Sequence, residues 1–91
     1  MLEIVRSTQF KKDLKKIIKQ GKELGLLQEI VESLQRQESL PPKNCDHSLS
    51  GNWKGYRECH ISPDWLLIYK SDDQLKLLRL ARTGSHSELF Q

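Results

Sequence analysis

The chain has 91 residues, a formal net charge of +3 and hydrophobic side chains at 36% of its positions. That length holds one small core and leaves no room for a cofactor domain beside a substrate domain, so residues 1–91 are expected to form a single domain. No apolar run approaches the ~20 residues of a membrane span, and the start MLEIVRSTQF is not built like a signal peptide; a soluble, cytoplasmic chain with no membrane partner is expected.

Leu2 and Ile4, with Glu3 and Val5 between and after them, read as a short strand. Ser7 or Thr8 can cap the helix that follows, in which Phe10, Leu14, Ile17 and Ile18 recur at i, i+4, i+7 and i+8 as one apolar stripe. Lys11, Lys12, Lys15, Lys16, Lys19 and Lys22 cover the rest of that helix, and Gly21 can stop it. Residues 1–22 carry seven Lys/Arg against Glu3 and Asp13, a net +5, whereas residues 23–53 carry −3 and residues 54–91 carry +1. Such a cluster favours a polyanion or an acidic protein partner; the plainer alternative is a solvated helix face.

A second helix is marked by Leu27, Ile30, Val31 and Leu34, with Leu24 near its first turn. The short connection predicts an antiparallel helical hairpin. Pro41 and Pro42 end helical structure. Residues 43–54 have no clear period and read as an ordered loop anchored by Leu49 and Trp53. Three strand-like pieces follow at 56–61, 65–70 and 75–82, joined by turns at Ser62-Pro63-Asp64 and Ser71-Asp72-Asp73-Gln74. The tail TGSHSELF is expected to add a short edge strand. The order β-α-α-β-β-β predicts an α+β fold, an antiparallel sheet with two helices packed on one face. The opposite face is then free to be polar and concave, and to carry a site.

The residues able to do chemistry gather in the second half: His47, His60, Asp64 and His86, with Lys54, Arg57, Arg82 and Phe90 near them. Histidine, with an ordinary pKa of ~6.5, is the side chain suited to moving protons near neutral pH. Two histidines in different protonation states supply a general base and a general acid. Lys54, Arg57 and Arg82 can neutralise a phosphate, and an aromatic such as Phe90 can stack a base. Those parts suffice for RNA cleavage without metal or cofactor. Each also has a plainer reading, as loop hydrogen-bonding groups, turn residues or core anchors. Cys45 and Cys59 fit free thiols, and Cys59 points away from its neighbour His60 in an extended strand. No C-x2-C spacing calls for zinc, so no metal is expected.

The segments DHSLSGNWKGYRECHISPDWLLIYK (46–70) and LARTGSHSELF (80–90) closely resemble the YafQ branch of the RelE/ParE toxin superfamily. Residues 1–45 match it only in layout. The resemblance implies the small microbial-ribonuclease-like, RelE-like fold. It implies a toxin of a type II toxin–antitoxin pair, an endoribonuclease that cuts mRNA in the ribosomal A site and so inhibits translation. The family's catalytic positions fall on His47, His60, Asp64 and His86, with Phe90 as an active-site aromatic. On that basis His86 is assigned as general acid, His60 and Asp64 as a proton-handling pair, and His47 as base or substrate orienter. The implied partners are a cognate antitoxin, the ribosome and its mRNA, with operator DNA reached only indirectly through the antitoxin complex. Lys11, Lys12, Lys15, Lys16 and Lys19 would grip ribosomal RNA or dock the antitoxin. The competing reading is a non-enzymatic, ParE-like inhibitor of a protein such as DNA gyrase. A pure binding module has no need of three histidines at matched positions.

Overall fold

Helix α1 (Thr8–Lys19) begins, in the computed structural model of the chain, which describes residues 1–90, where the Ser7 hydroxyl accepts the Phe10 N–H at 2.9 Å. That bond satisfies one of the donors a helix start leaves without a partner. The helix ends as Gly21 takes a φ of +75°, letting Gly21 N–H and Lys22 N–H donate back to Ile18 and Ile17. Helix α2 (Leu24–Gln35) follows, and Leu27, Ile30, Val31 and Leu34 form its buried stripe.

The buried face of α1 differs from the expected one. Phe10 and Ile17 are buried and Leu14 is half-buried, but Ile18 is 53% exposed. Ile18 sits about 80° around the helix from Phe10, on the solvent side, whereas Ile17 and Asp13 fall on the other flank. Asp13, only 8% exposed, takes the vacated place in the stripe.

Beyond α2 the loop predicted at residues 43–54 is more regular than expected. It holds a 3-10 turn (Pro42–Asn44), the short strand β2 (His47–Ser48) and a second 3-10 turn (Gly51–Trp53). Strands β3 (Arg57–Ser62), β4 (Trp65–Asp72) and β5 (Leu77–Gly84) form the antiparallel meander. The tail, expected as an edge strand, is instead a single helical turn, α3 (His86–Leu89). Its S-x-x-E sequence is a capping box, in which Ser85 and Glu88 bond each other's backbone N–H groups.

The five strands lie in the order β1-β5-β4-β3-β2, with β1 spanning Glu3–Arg6. The α+β class is as expected, but the sheet is mixed, because β1 pairs with β5 in parallel. Two parallel neighbours need a long crossover between them, which the helical hairpin and the meander together provide. Along β4 the side chains alternate. Trp65, Leu67 and Tyr69 join Cys59, Leu78, Leu80 and the two helices in the main core, while Leu66 and Ile68 face the opposite side. The run Leu66-Leu67-Ile68 thus anchors both faces. The side away from α1 and α2 is not wholly polar, since Leu89 of α3, with half-buried Leu49, Trp53 and Tyr56, packs on Leu66 and Ile68.

Asp13 ties α1 to β5. Its carboxylate accepts from Arg82 at 2.8 and 3.2 Å and from Thr83 N–H at 3.2 Å, past Leu80, where pairing with β1 ends. The Thr83 hydroxyl in turn accepts Trp65 Nε1–H and donates to the Leu66 carbonyl, both at 2.8 Å. Replacing Asp13 with Ala leaves a guanidinium and a buried N–H without their acceptor. Arg82 keeps some exposure, so a loss of about 2–3 kcal/mol is expected, below that for a fully buried pair. Urea unfolding of Asp13→Ala measures it; a loss under ~0.5 kcal/mol, the level of an ordinary surface change, would remove Asp13 from the list of structural anchors.

Candidate active site

Strand β3 separates its chemistry by alternation. Cys59 and Ile61 enter the main core, while Glu58 and His60 lie on the opposite face, paired across the ladder with Ile68 and Leu66. His47 on β2 is the register partner of Glu58. The three side chains meet: Glu58 is 5% exposed, and its Oε1 lies 3.5 Å from His47 Nε2 and 3.9 Å from His60 Nε2. The other nitrogen of His47, Nδ1, lies 2.7 Å from the Cys45 carbonyl. A carbonyl can only accept, so Nδ1 carries the proton of that bond.

His86 comes to the same face by another route. Leu66 is the ladder partner of both His60 and Gly84, and α3 starts two residues after Gly84. His86 is exposed and stacks on Phe90, with ring centroids 4.9 Å apart and planes tilted by 40°. The turn that carries them is fixed at three points. Leu89 is buried, Glu88 Oε1 accepts Ser85 N–H at 2.8 Å, and Glu88 Oε2 is 2.5 Å from Lys16 Nζ on α1. Lys16, followed by the Ser85 bonds, holds the Glu88 carboxyl down at about 2.

Asp64 occupies the exposed corner between β3 and β4 and makes no side-chain hydrogen bond or ion pair among the described residues. The expected His60–Asp64 pair is therefore not formed here; Glu58 is the carboxylate beside His60. Two proposed phosphate ligands are also redirected. Arg57 lies on the helix-covered side, where its Nε and Nη2 each sit 3.3 Å from Asp46, and that bond raises its already high pKa. The Tyr69 hydroxyl donates to the same Asp46 at 2.6 Å, and burial followed by this bond pushes the phenol well above its ordinary value. Asp46 is thus anchored from behind, immediately before His47. Arg82 is held by Asp13, with its pKa raised by that bond. Of the three proposed phosphate ligands, only Lys54 is exposed with no partner among the described residues.

Cys59 is fully buried, which pushes its thiol up to about 12 and removes it as a nucleophile. On α1, Lys11, Lys12, Lys15 and Lys19 are exposed, whereas Lys16 is engaged with Glu88. Among the described residues no group of three or more His, Cys, Asp or Glu is arranged to hold a metal ion, and no helix is long and apolar enough to cross a membrane. Sequence reasoning missed Glu58 as a site residue. The signal was present, since Glu58 and His60 are two apart in a strand whose alternate positions, Cys59 and Ile61, are apolar.

Residues 2–91 match the family described as the bacterial toxin of type II toxin–antitoxin systems, YafQ, and the chain belongs to that family. It is 45% identical over 89 residues to the mRNA interferase toxin YafQ of Escherichia coli strain K12, covering 97% of this chain and 95% of that one. Among solved structures, YafQ from E. coli strain BL21(DE3) superposes with a TM-score of 0.92 at 42% identity, each chain covered completely. The E. coli DinJ–YafQ complex gives 0.89 at 43%, again with complete coverage of both chains. A metal-bound toxin from Helicobacter pylori gives 0.93 at 49%, over 99% of this chain and all of that one.

The depressed Glu88 value yields a pH prediction. The folded state holds this carboxylate charged more firmly than the unfolded chain does, where its value is near 4.5. Its stabilising contribution is therefore complete above about 4.5 and is lost as pH falls toward about 2. Melting temperature plotted against pH for wild type and Glu88→Gln is expected to differ at neutral pH and to converge in acid. Parallel curves down to pH 2 would show that Lys16 and Ser85 do not stabilise this carboxylate.

Proposed function

We propose that this chain is an mRNA interferase, an endoribonuclease that acts as the toxin of a type II toxin–antitoxin pair. The observation that carries the reading is the buried Glu58 carboxylate between His47 and His60, on the face to which α3 brings His86. The name of the E. coli relative supports the activity, and its complex with DinJ supports a cognate antitoxin as partner. The sites of action, the ribosome and the cytoplasm, belong to the same reading, with operator DNA contacted through the antitoxin.

In this scheme His60 Nε2 takes the proton of a ribose 2′-OH, and the oxygen attacks the adjacent phosphorus. The bond to the 5′-oxygen breaks, His86 gives that oxygen a proton, and a 2′,3′-cyclic phosphate remains. Glu58 stabilises the charge that His60 acquires, and His47 is held beside the same carboxylate. Lys54 meets the phosphate, Phe90 stacks a base, and Asp64 at the exposed corner contacts the substrate. Arg57 and Arg82 serve the site through Asp46 and Asp13 rather than by binding phosphate.

Wild type, His86→Ala and Glu58→Gln are to be compared on one mRNA, naked and bound to programmed ribosomes, with cuts mapped by primer extension. Cuts that need the ribosome, vanish in His86→Ala and slow by roughly tenfold or more in Glu58→Gln are expected. A folded wild type that cuts in neither setting would sink the nuclease reading in favour of a gyrase-type protein target. On α1, Lys15→Ala with Lys19→Ala is expected to lower the slope of log affinity for ribosomes against log salt by up to about 2. An unchanged slope would make α1 a solvated face.

A further inference from the structure

Strand β2 is two residues long, and its pairing with β3 stops at Glu58, so His60 lies beyond the reach of backbone partners on that side. The ladder to β4 also shifts register between His60 and Ser62. His60 therefore sits where regular pairing fails on one side and is irregular on the other. From the 3-10 turn just ahead of β2, Asn44 reaches into this gap and donates Nδ2–H to the His60 carbonyl at 2.7 Å. Asn44 is 5% exposed, and its buried Oδ1 meets no acceptor-seeking group among the described residues. A half-satisfied buried amide is costly. An apolar side chain would fill the place without that cost but would give up the bond to His60.

The next residue does the corresponding task for the other histidine. Cys45 takes a φ of +48°, in the left-handed region that most side chains avoid. The reversal leaves the Cys45 carbonyl 2.7 Å from His47 Nδ1. One turn of chain thus holds the backbone of His60 and the ring of His47, and Glu58 lies between the two rings.

We propose that Asn44 and Cys45 are positioning residues that together set His47 and His60 around Glu58. The proposal rests on the reading of these histidines as members of the cleavage site. Neither Asn44 nor Cys45 touches substrate; each acts through a histidine. A side chain three positions before His47 therefore governs His60, sixteen residues on from Asn44.

The test uses the full chain with Asn44→Ala, Cys45→Gly and Cys45→Val. The ring nitrogens of all three histidines are followed by 15N NMR, beside single-turnover cleavage of ribosome-bound mRNA and melting temperature. Asn44→Ala is expected to move the His60 ring signals, leave those of His86 in place and cut the cleavage rate on the order of tenfold at unchanged half-saturation. Cys45→Val, which disfavours positive φ, is expected to lose the signature of a protonated, bonded Nδ1 on His47. Cys45→Gly adopts that φ freely and is expected to retain it. Unmoved His60 signals in a folded Asn44→Ala, or Cys45→Gly and Cys45→Val behaving alike, would overturn the clamp. Should Asn44→Ala fail to fold, the Cys45 pair decides alone. A wild type that cuts no RNA would end the proposed function, while the ring signals would still test the clamp.

Discussion

Buried backbone groups must find partners, and both outer strands of this sheet are too short to supply them all. β1 accompanies β5 only as far as Leu80, and β2 accompanies β3 only at Arg57 and Glu58. Beyond each end a side chain continues the pairing. The Ser7 hydroxyl donates to the Ala81 carbonyl, Asp13 accepts from Thr83 N–H, and Asn44 donates to the His60 carbonyl. A helix and a turn thereby hold strand ends that in a larger sheet would be held by neighbouring strands. Truncated edges also limit the open pairing surface through which sheets join one another. The residues of interest, His60 near the end of β3 and His86 just after β5, follow from these held ends.

Buried and half-buried carboxylates organise a chain whose net charge is positive. Asp13 sits between α1 and β5, Glu88 between α3 and α1, and Glu58 between His47 and His60. The first two engage Arg82 and Lys16, and because Lys16 is taken the free basic surface of α1 is narrower than the charge of residues 1–22 implies. Lys11, Lys12, Lys15 and Lys19 remain exposed on α1. The same arrangement fastens the helix carrying that surface to the turn carrying His86, through Glu88.

Local signals in the sequence were readable where the physics is local. Ser7 caps α1, Pro41 and Pro42 end the helical hairpin, and the alternation of residues 57–62 gives β3 its two faces. Arg57 and Arg82 show where locality ends. A guanidinium beside histidines reads as a phosphate ligand, yet Asp46 lies 11 residues from Arg57 and Asp13 lies 69 residues from Arg82. Asp13 resembled one more exposed helix charge because its partners are at the other end of the chain. Glu58 was visible as the strand neighbour of His60, but its second histidine depends on β2, a strand too short to leave a pattern. The S-x-x-E of the tail was a legible capping box, and the edge-strand expectation passed over it. His47, His60, Asp64 and His86 stood out as residues able to do chemistry, their catalytic assignment came from resemblance, and the structure adds that His47 and His60 share a carboxylate.

The floor of the site bears on how the two sides could work together. His60 stands on β3, and α3 with His86 follows β5, with Leu66 of β4 between them in the same ladder row. Neighbouring strands are about 4.8 Å apart, so the two supporting strands are separated by roughly 10 Å, room for a phosphate and its ribose oxygens. Leu66 and Ile68 are buried beneath Leu89, Leu49, Trp53 and Tyr56, so this face is backed by a dry apolar layer. In the proposed cleavage, His60, His86 and Lys54 would act on the phosphate beside this layer, in a medium less screening than water. The apolar cluster on this face, unexpected from the idea of a free polar surface, is thus compatible with proton transfer from one side of a phosphorus atom to the other. A wholly polar floor would hold water there, in competition with the histidines for the same protons.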